Sequence, residues 1–199
     1  MQASLRTGYL PGLRPSRPGL RDVRVCALKG FGKIDTQKSK CPCGSGKDYS
    51  GCCQRLHKQQ LLKASGPEEL LRARFAAYVK RDWKYLVRTT HSKNPARAGS
   101  TSQDGKIKTS FEQDVKVTCS WADFQTLDIL QVRDGSEEAE VDLRFTMKQV
   151  FELQSGEKIK DAPLQSIEET ARFAVEDGEW RFLGSQSNWD RNELKPVAA

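Results

Sequence analysis

Cys41, Cys43, Cys52 and Cys53 are four of the chain's six cysteines and fall within thirteen positions. Their spacing is C-x-C-x8-C-C. Four thiolates close a tetrahedral shell around one Zn²⁺, and a shell with no open position is structural rather than catalytic. Gly44, Gly46 and Gly51 allow the turns that bring the two pairs together. Lys40 and Lys47 offset part of the negative charge that four thiolates place around a divalent ion. A segment this short builds no core of its own, so metal binding supplies much of its folding free energy. Disulfide pairing is the weaker alternative, because adjacent cysteines and C-x-C pairs bridge only with strain. Other metals or free thiols are further alternatives. Gly44-Ser45-Gly46-Lys47 is no P-loop: Asp48 follows the lysine, and Cys41 stands where the first glycine belongs. Outside the cluster, Cys119 reads as a small buried apolar side chain.

The charge is unevenly placed. The 199 residues carry 33 Lys+Arg and 26 Asp+Glu, a net +7. Residues 1–35 hold seven basic and two acidic side chains, and residues 36–66 hold six basic (Lys38, Lys40, Lys47, Arg55, Lys58, Lys63) against Asp48 alone. The remainder is slightly acidic. The basic balance thus belongs to the N-terminal segments and not to the body, and DNA is not an expected partner. No stretch approaches the ~20 apolar residues of a membrane-spanning helix.

Residues 1–27 are Arg-rich and acid-poor, interrupted by Pro11, Pro15 and Pro18, as in organelle transit peptides. Val25-Cys26-Ala27 resembles the processing sites of algal chloroplast transit peptides. The expectation is a leader over 1–27, a linker over 28–39 and a chloroplast stromal location. A mitochondrial address, a plain basic tail and a nucleic-acid-binding arm are the alternatives.

Past the cysteines, Ser65-Gly66-Pro67-Glu68-Glu69 reads as a helix start with Ser65 as N-cap. Leu71, Arg74, Phe75 and Tyr78 keep helical spacing to about Lys80. A second helix is expected from Trp83 to Thr90, with Trp83, Leu86 and Val87 inward. A polar loop over 92–106 and a short helix near 108–118 follow. Strands are expected at Trp121–Val132, around Val141, Leu143, Phe145, Met147 and Phe151, at Ile167–Val175, and at Glu179–Ser185 after an Asp177-Gly178 hairpin turn. Helices followed by strands make an α+β domain with an antiparallel sheet. This body, with its own apolar helices and strands, is expected to fold without the cysteine segment.

Cys41-Pro42-Cys43-Gly44-Ser45-Gly46-Lys47-Asp48-Tyr49-Ser50-Gly51-Cys52-Cys53 resembles the SEC-C zinc motif. In the SecA translocation ATPase that module contacts the SecB chaperone and the ribosome. The helices-then-strands order resembles the nuclear-transport-factor-2-like cone. A SEC-C motif joined to such a cone is similar to the YchJ family. The matching residues are 70–79, Asp82, Tyr85-Leu86, Thr89, His91 and Asp177-Gly178-Glu179-Trp180. The resemblance implies a SEC-C motif over 40–57, a cone over 66–190 and a tail over 191–199. Bacterial members usually carry a second SEC-C motif at the C-terminus. This chain has no cysteine there, which implies one structural Zn²⁺ rather than two.

Cones of this kind enclose a pocket, and Arg74 and Tyr78, one turn apart, are its candidate lining residues. An enzymatic reading of isomerase, dehydratase or hydrolase type makes His91 or Asp82 the base and Tyr78 a donor. The competing reading pairs Arg74 with an acid, makes Asp82 a helix-end residue and sets His91 on the last carbonyls of its helix. No paired acids stand at a recognisable spacing, so the balance leans away from catalysis. The expectation is a binding or adaptor module whose basic zinc segment meets a protein partner, with ribosome or RNA as a further possibility.

Overall fold

The computed structural model describes residues 39–59, 62–102, 105–152 and 156–187. The leader, all of the linker but Ser39, and the tail lie outside the described residues. The elements run α1 (Cys53–Lys58), α2 (Pro67–Lys80), α3 (Trp83–Arg88), β1 (Ser100–Thr101), β2 (Lys108–Thr109), α4 (Phe111–Trp121), β3 (Ala122–Asp134), β4 (Glu138–Gln149), β5 (Leu164–Glu176) and β6 (Glu179–Ser187). Strands β3 to β6 form one antiparallel meander in sequence order. The fold is α+β, as expected.

Local chemistry sets the boundaries. The N-cap of α2 is Gly66, not Ser65. Ser65 instead gives its backbone N–H and hydroxyl to Glu69 Oε2, both at 2.7 Å. Asp82 caps α3, its Oδ1 accepting the Tyr85 N–H at 3.1 Å. Tyr85 and Leu86 are the buried residues of that helix; Trp83 and Val87 are only half-buried. Helix α4 starts at Phe111 rather than near 108, because Ser110 and Gln113 form a reciprocal capping box. Within the expected loop, Asn94 caps a 3₁₀ turn over Pro95–Ala98, and β1 pairs with β2.

Asp177 (φ 53°) and Gly178 (φ 70°) are both left-handed, as a two-residue hairpin between twisted strands requires. Register shifts in β3 at Phe124/Thr126 and Ile129/Gln131, and between Arg172 and Phe173 of β5, bend the sheet around α2. Alternation along β4 turns Val141, Leu143 and Met147 toward the helices. The other face carries an ion-pair ladder: Arg133 holds Glu140 and Asp142, Thr170 donates to Asp142, and Arg144 pairs with Glu168.

The expected separation of core and cysteine segment does not hold. Cys41, Cys43, Cys53 and Leu56 belong to the same apolar cluster as Leu70, Phe75, Leu86, Val141 and Phe173. Leu56 is 2% exposed. A helix of six residues is too short to be stable by itself, so α1 exists because its apolar side completes the body's core. Leu56→Ala is therefore expected to lower global stability by about 2–5 kcal/mol, the usual cost of a truncated core leucine. Denaturant unfolding should show one transition, shifted as a whole. A wild-type transition for the cone would mean that the two parts fold independently.

Candidate metal centre and cone pocket

A short backbone ladder closes the cysteine knuckle. The Cys41 N–H donates to Lys47 O at 2.8 Å and the Tyr49 N–H to Ser39 O at 3.0 Å. Lys40 and Asp48 pair across it, with an Nζ–Oδ1 distance of 3.5 Å. The four sulfurs then lie within 4.8 Å of one another. Cys43 and Cys52 approach to 3.7 Å and Cys52 and Cys53 to 3.8 Å. A tetrahedral ion bonded to four sulfurs at about 2.3 Å spaces them about 3.8 Å apart, so the donor set fits such an ion. No disulfide joins any of the five described cysteines.

The electrostatics point the same way. A hydrogen bond from Cys53 is the main cause that draws the Cys43 thiol down to about 4. That same bond, with burial, drives Cys53 far up, and burial raises Cys41. Burial and the mutual contacts of the thiols therefore oppose ionising them together. Four thiolates require a cation. Ser45 Oγ lies 3.2 Å from Cys43 Sγ and 3.3 Å from Cys52 Sγ, orienting both.

Three residues seat the knuckle on the body. Arg72 Nη1 donates to Cys43 O at 2.8 Å while its Nε holds Glu68. Arg88 Nη2 donates to Leu56 O at 2.5 Å, closing the C-terminal end of α1. His57 is buried, with Nε2 2.9 Å from Ala73 O and Nδ1 2.9 Å from the Tyr49 hydroxyl. The carbonyl only accepts, so Nε2 carries the proton and Nδ1 accepts from Tyr49. Its ring lies against Tyr85 at 4.5 Å. Burial lowers the His57 pKa and lifts the Tyr49 phenol to about 12. Gly44 (φ +77°) crosses β3 so closely that a Cβ would sit 2.7 Å from Leu127 O. A cleft of about 630 Å³ runs beside the knuckle, floored by Leu56, Pro67 and Val132 and rimmed by Lys47, Arg55, Arg72, Glu68, Glu69 and Asp134.

Residues expected to share the cone pocket do not all do so. Arg74 and Tyr78 line a cavity of about 390 Å³ with Phe111, Val115, Phe182 and Ser185. Asp82 and His91 are not among its lining residues. Asp82 serves as the N-cap of α3. His91 Nδ1 accepts the Lys93 N–H at 3.0 Å and lies 3.7 Å from Glu176. Among the described residues Arg74 makes no ion pair with an acid, contrary to the competing reading. Its Nη1 donates to Leu86 O at 2.9 Å, Thr89 Oγ1 at 2.8 Å and Thr90 Oγ1 at 3.3 Å.

Glu169, Ser185, His57, Arg72 and Arg88 do not stand out in the sequence as site residues. Glu169 could have been found, since it shares the inward positions of β5 with Ile167, Ala171 and Phe173. His57 stands one helical turn after Cys53, on the same face. Arg72 and Arg88 leave no local signal, because their partners are backbone carbonyls 29 and 32 residues away.

Residues 66–185 match the family described as YchJ, middle NTF2-like domain. A UPF0225 protein of Enterobacter sp. strain 638 is 30% identical over 160 residues, 80% of this chain and 91% of that one. A UPF0225 protein of Deinococcus radiodurans is 49% identical over 51 residues, covering 26% of this chain and 38% of its own. A SEC-C motif containing protein from Rhodopseudomonas palustris superposes with TM-score 0.55 at 27% identity, covering 74% of this chain and 98% of that one. A sec-c motif containing protein from Psychrobacter arcticus, at 22% identity and TM-score 0.52, covers 80% of this chain and 85% of its own and shares the fold.

The seating of the knuckle can be tested at two residues. Gly44→Ala should destabilise strongly, because it meets a backbone oxygen in addition to the left-handed φ. Gly46→Ala, with φ +72° and open space around it, should cost only the ~1–2 kcal/mol of the conformation. Equal losses in thermal unfolding would exclude the close approach to β3. His57 binds a proton more readily unfolded than folded. Its contribution to stability is therefore complete well above the ordinary histidine value of 6.5 and is lost as pH falls through that value. Wild type should lose stability faster than His57→Gln between about pH 7.5 and 5.5; parallel curves would contradict the buried neutral ring.

Proposed function

We propose that this chain, which belongs to the YchJ-like family, is a zinc-ordered binding or adaptor module that docks an acidic segment of a protein partner beside its knuckle. The observation that carries the reading is the cleft there: an apolar floor, a rim whose Arg55 and Arg72 are paired with Glu69 and Glu68 while Lys47 makes no ion pair among the described residues, and a thiol set with no position left for substrate. Zn²⁺ is the ion of choice for a closed four-thiolate shell. When bound, it supplies charge neutralisation and a cross-link between Cys41-Cys43 and Cys52-Cys53. Ser45 orients the thiols, and Arg72 and Arg88 fix the segment against the body.

Part of the basic charge is already paired. Lys40 holds Asp48, Arg55 holds Glu69 and Lys63 holds Glu179. Lys47 and Lys58 make no ion pair among the described residues, and they are the groups free to meet an acidic partner. Ribosomal RNA offers the same charge, but Tyr49, the one aromatic residue interleaved with these lysines, is turned inward to His57. An acidic protein segment is therefore the better fit. Among the described residues no helix is long and apolar enough to cross a membrane. The chloroplast stroma is the proposed location, on the leader composition alone, and import of the full chain into isolated plastids tests it.

An enzymatic reading has one observation in its favour. Glu169, an acid on the inner face of β5, acts on Arg74 and Tyr78, which Asp82 and His91 do not line up to do.

Elemental analysis of reduced full-length protein should give about one zinc per chain; less than about a tenth of that sinks the zinc assignment. Binding of a fluorescein-labelled Glu/Asp-rich peptide should weaken steeply with salt. The double variant Lys47→Glu/Lys58→Glu should lose about tenfold or more in affinity at unchanged zinc content. His91→Ala and Asp82→Asn should bind as wild type. Peptide binding that survives the charge reversal would end the docking proposal.

A further inference from the structure

Arg74 is the most deeply placed charge in the cone. It is 5% exposed and makes no ion pair among the described residues. Burying a cation without a counter-charge costs several kcal/mol unless neutral groups or a ligand compensate. The compensation visible here is partial. One nitrogen, Nη1, makes the bonds to Leu86 O, Thr89 Oγ1 and Thr90 Oγ1. The guanidinium plane lies over the Phe182 ring, 4.4 Å from its centroid. Tyr78 lines the same cavity, one helical turn further along α2.

The nearby acids do not complete the compensation. Glu169 is the acid that acts on Arg74, yet burial pushes its carboxyl up, against the pull of Ser185 and Arg74. Asp114, on the cavity wall, has both carboxylate oxygens occupied: Oδ2 by Ser100 at 2.8 Å and Oδ1 by Thr109 at 2.5 Å. The cavity presents a buried guanidinium with no ion pair among the described residues and a phenol, with Phe182, Phe111 and Val115 as apolar walls and Asp114 held by its two hydroxyl donors. Its volume of about 390 Å³ is at the lower end of ligand sites.

We propose that the cone cavity binds a small flat carboxylate, its anionic end on Arg74 and Tyr78 and its ring-sized body against Phe182 and Phe111. The site is separate from the knuckle cleft, and the inference does not rest on the docking function. A guanidinium fork matches a carboxylate, and the apolar walls match a planar hydrocarbon body. No reaction is required of it: the cavity is assigned as a binding site, with Arg74 as anion anchor.

Benzoate and benzamide are the probes, being nearly the same shape and differing in charge. Full-length zinc-loaded protein is titrated with each, followed by calorimetry and ligand-observed NMR. Benzoate should bind in the millimolar range expected of so small a ligand. Benzamide should bind at least about tenfold more weakly. Ser185 is exposed at the cavity rim, opposite Ala171 in β5, so Ser185→Leu should fill the mouth and abolish binding, with its thermal unfolding measured beside wild type to show that the variant is folded. Arg74→Met removes the charge directly, but it also frees the hydroxyls of Thr89 and Thr90 and can unfold the chain. Ser185→Leu is therefore the deciding variant. Absence of benzoate binding at about 10 mM, equal affinity for the two probes, or wild-type binding by Ser185→Leu would each overturn the proposal. Failure of the acidic-peptide experiment leaves this outcome unaffected, because no residue is shared between the two tests.

Discussion

Sulfur atoms packed within 4.8 Å of one another cannot all be thiolates unless a cation sits among them. That constraint is local, but the geometry that satisfies it is not. The knuckle is a loop with one six-residue helix. Its Cys43 and Leu56 carbonyls and its His57 ring are held by groups from α2 and α3. The metal site and the body's core are thus one cooperative object. Leu56 and Cys53 share one apolar cluster with Leu70 and Leu86, so an ion held by the four sulfurs would be coupled to that core.

Helix α2 connects the two candidate sites through three consecutive residues. Arg72 reaches the knuckle through Cys43 O, Ala73 offers its carbonyl to His57, and Arg74 points into the cone. Successive residues on a helix turn by about 100°, so one short stretch addresses both sides of the molecule. Arg74 also ties the C-terminal end of α3 in place. The chain beyond it then joins the sheet, the His91 N–H donating to Phe182 O and the Phe182 N–H to Thr89 O, both at 2.9 Å. The same guanidinium that leaves charge facing the cavity therefore also fixes one of its walls.

Much of this is readable from residue types. The thiol set follows from spacing, the hairpin from Asp177-Gly178, and the strand faces from alternation along β4. The start of α4 is misplaced by sequence reasoning because a capping box outweighs the polar residues before it; Ser110 and Gln113 carry that signal. Ser65 is a reasonable cap by type, but Glu69 captures it instead. The extension of the body's core into the cysteine segment is what residue types do not reveal. Apolar periodicity in α2 reports that a face is buried, not what buries it, and here Leu56 and the cysteines do so. Asp82 and His91 stand out as lone titratable groups on a continuing helical face. A helix break at Arg81, whose φ of 58° is left-handed, redirects Asp82 into capping. Glu169 sits between Glu168 and Thr170 and reads as part of a polar stretch unless its inward position with Ile167, Ala171 and Phe173 is followed along β5.

Arg88 closes α1 from a point 32 residues further along the chain, and this has a consequence for biogenesis. A chain emerging N-terminus first, from a ribosome or through an import channel, presents the four thiols before the groups that seat them exist. Until α2 and then α3 have followed, the knuckle lacks first the Ala73 carbonyl and then Arg88 to rest on. During that interval its cysteines are open to oxidation and to softer metals such as Cu(I). Faithful loading then depends on the order of events, with the seat arriving before the wrong occupant does.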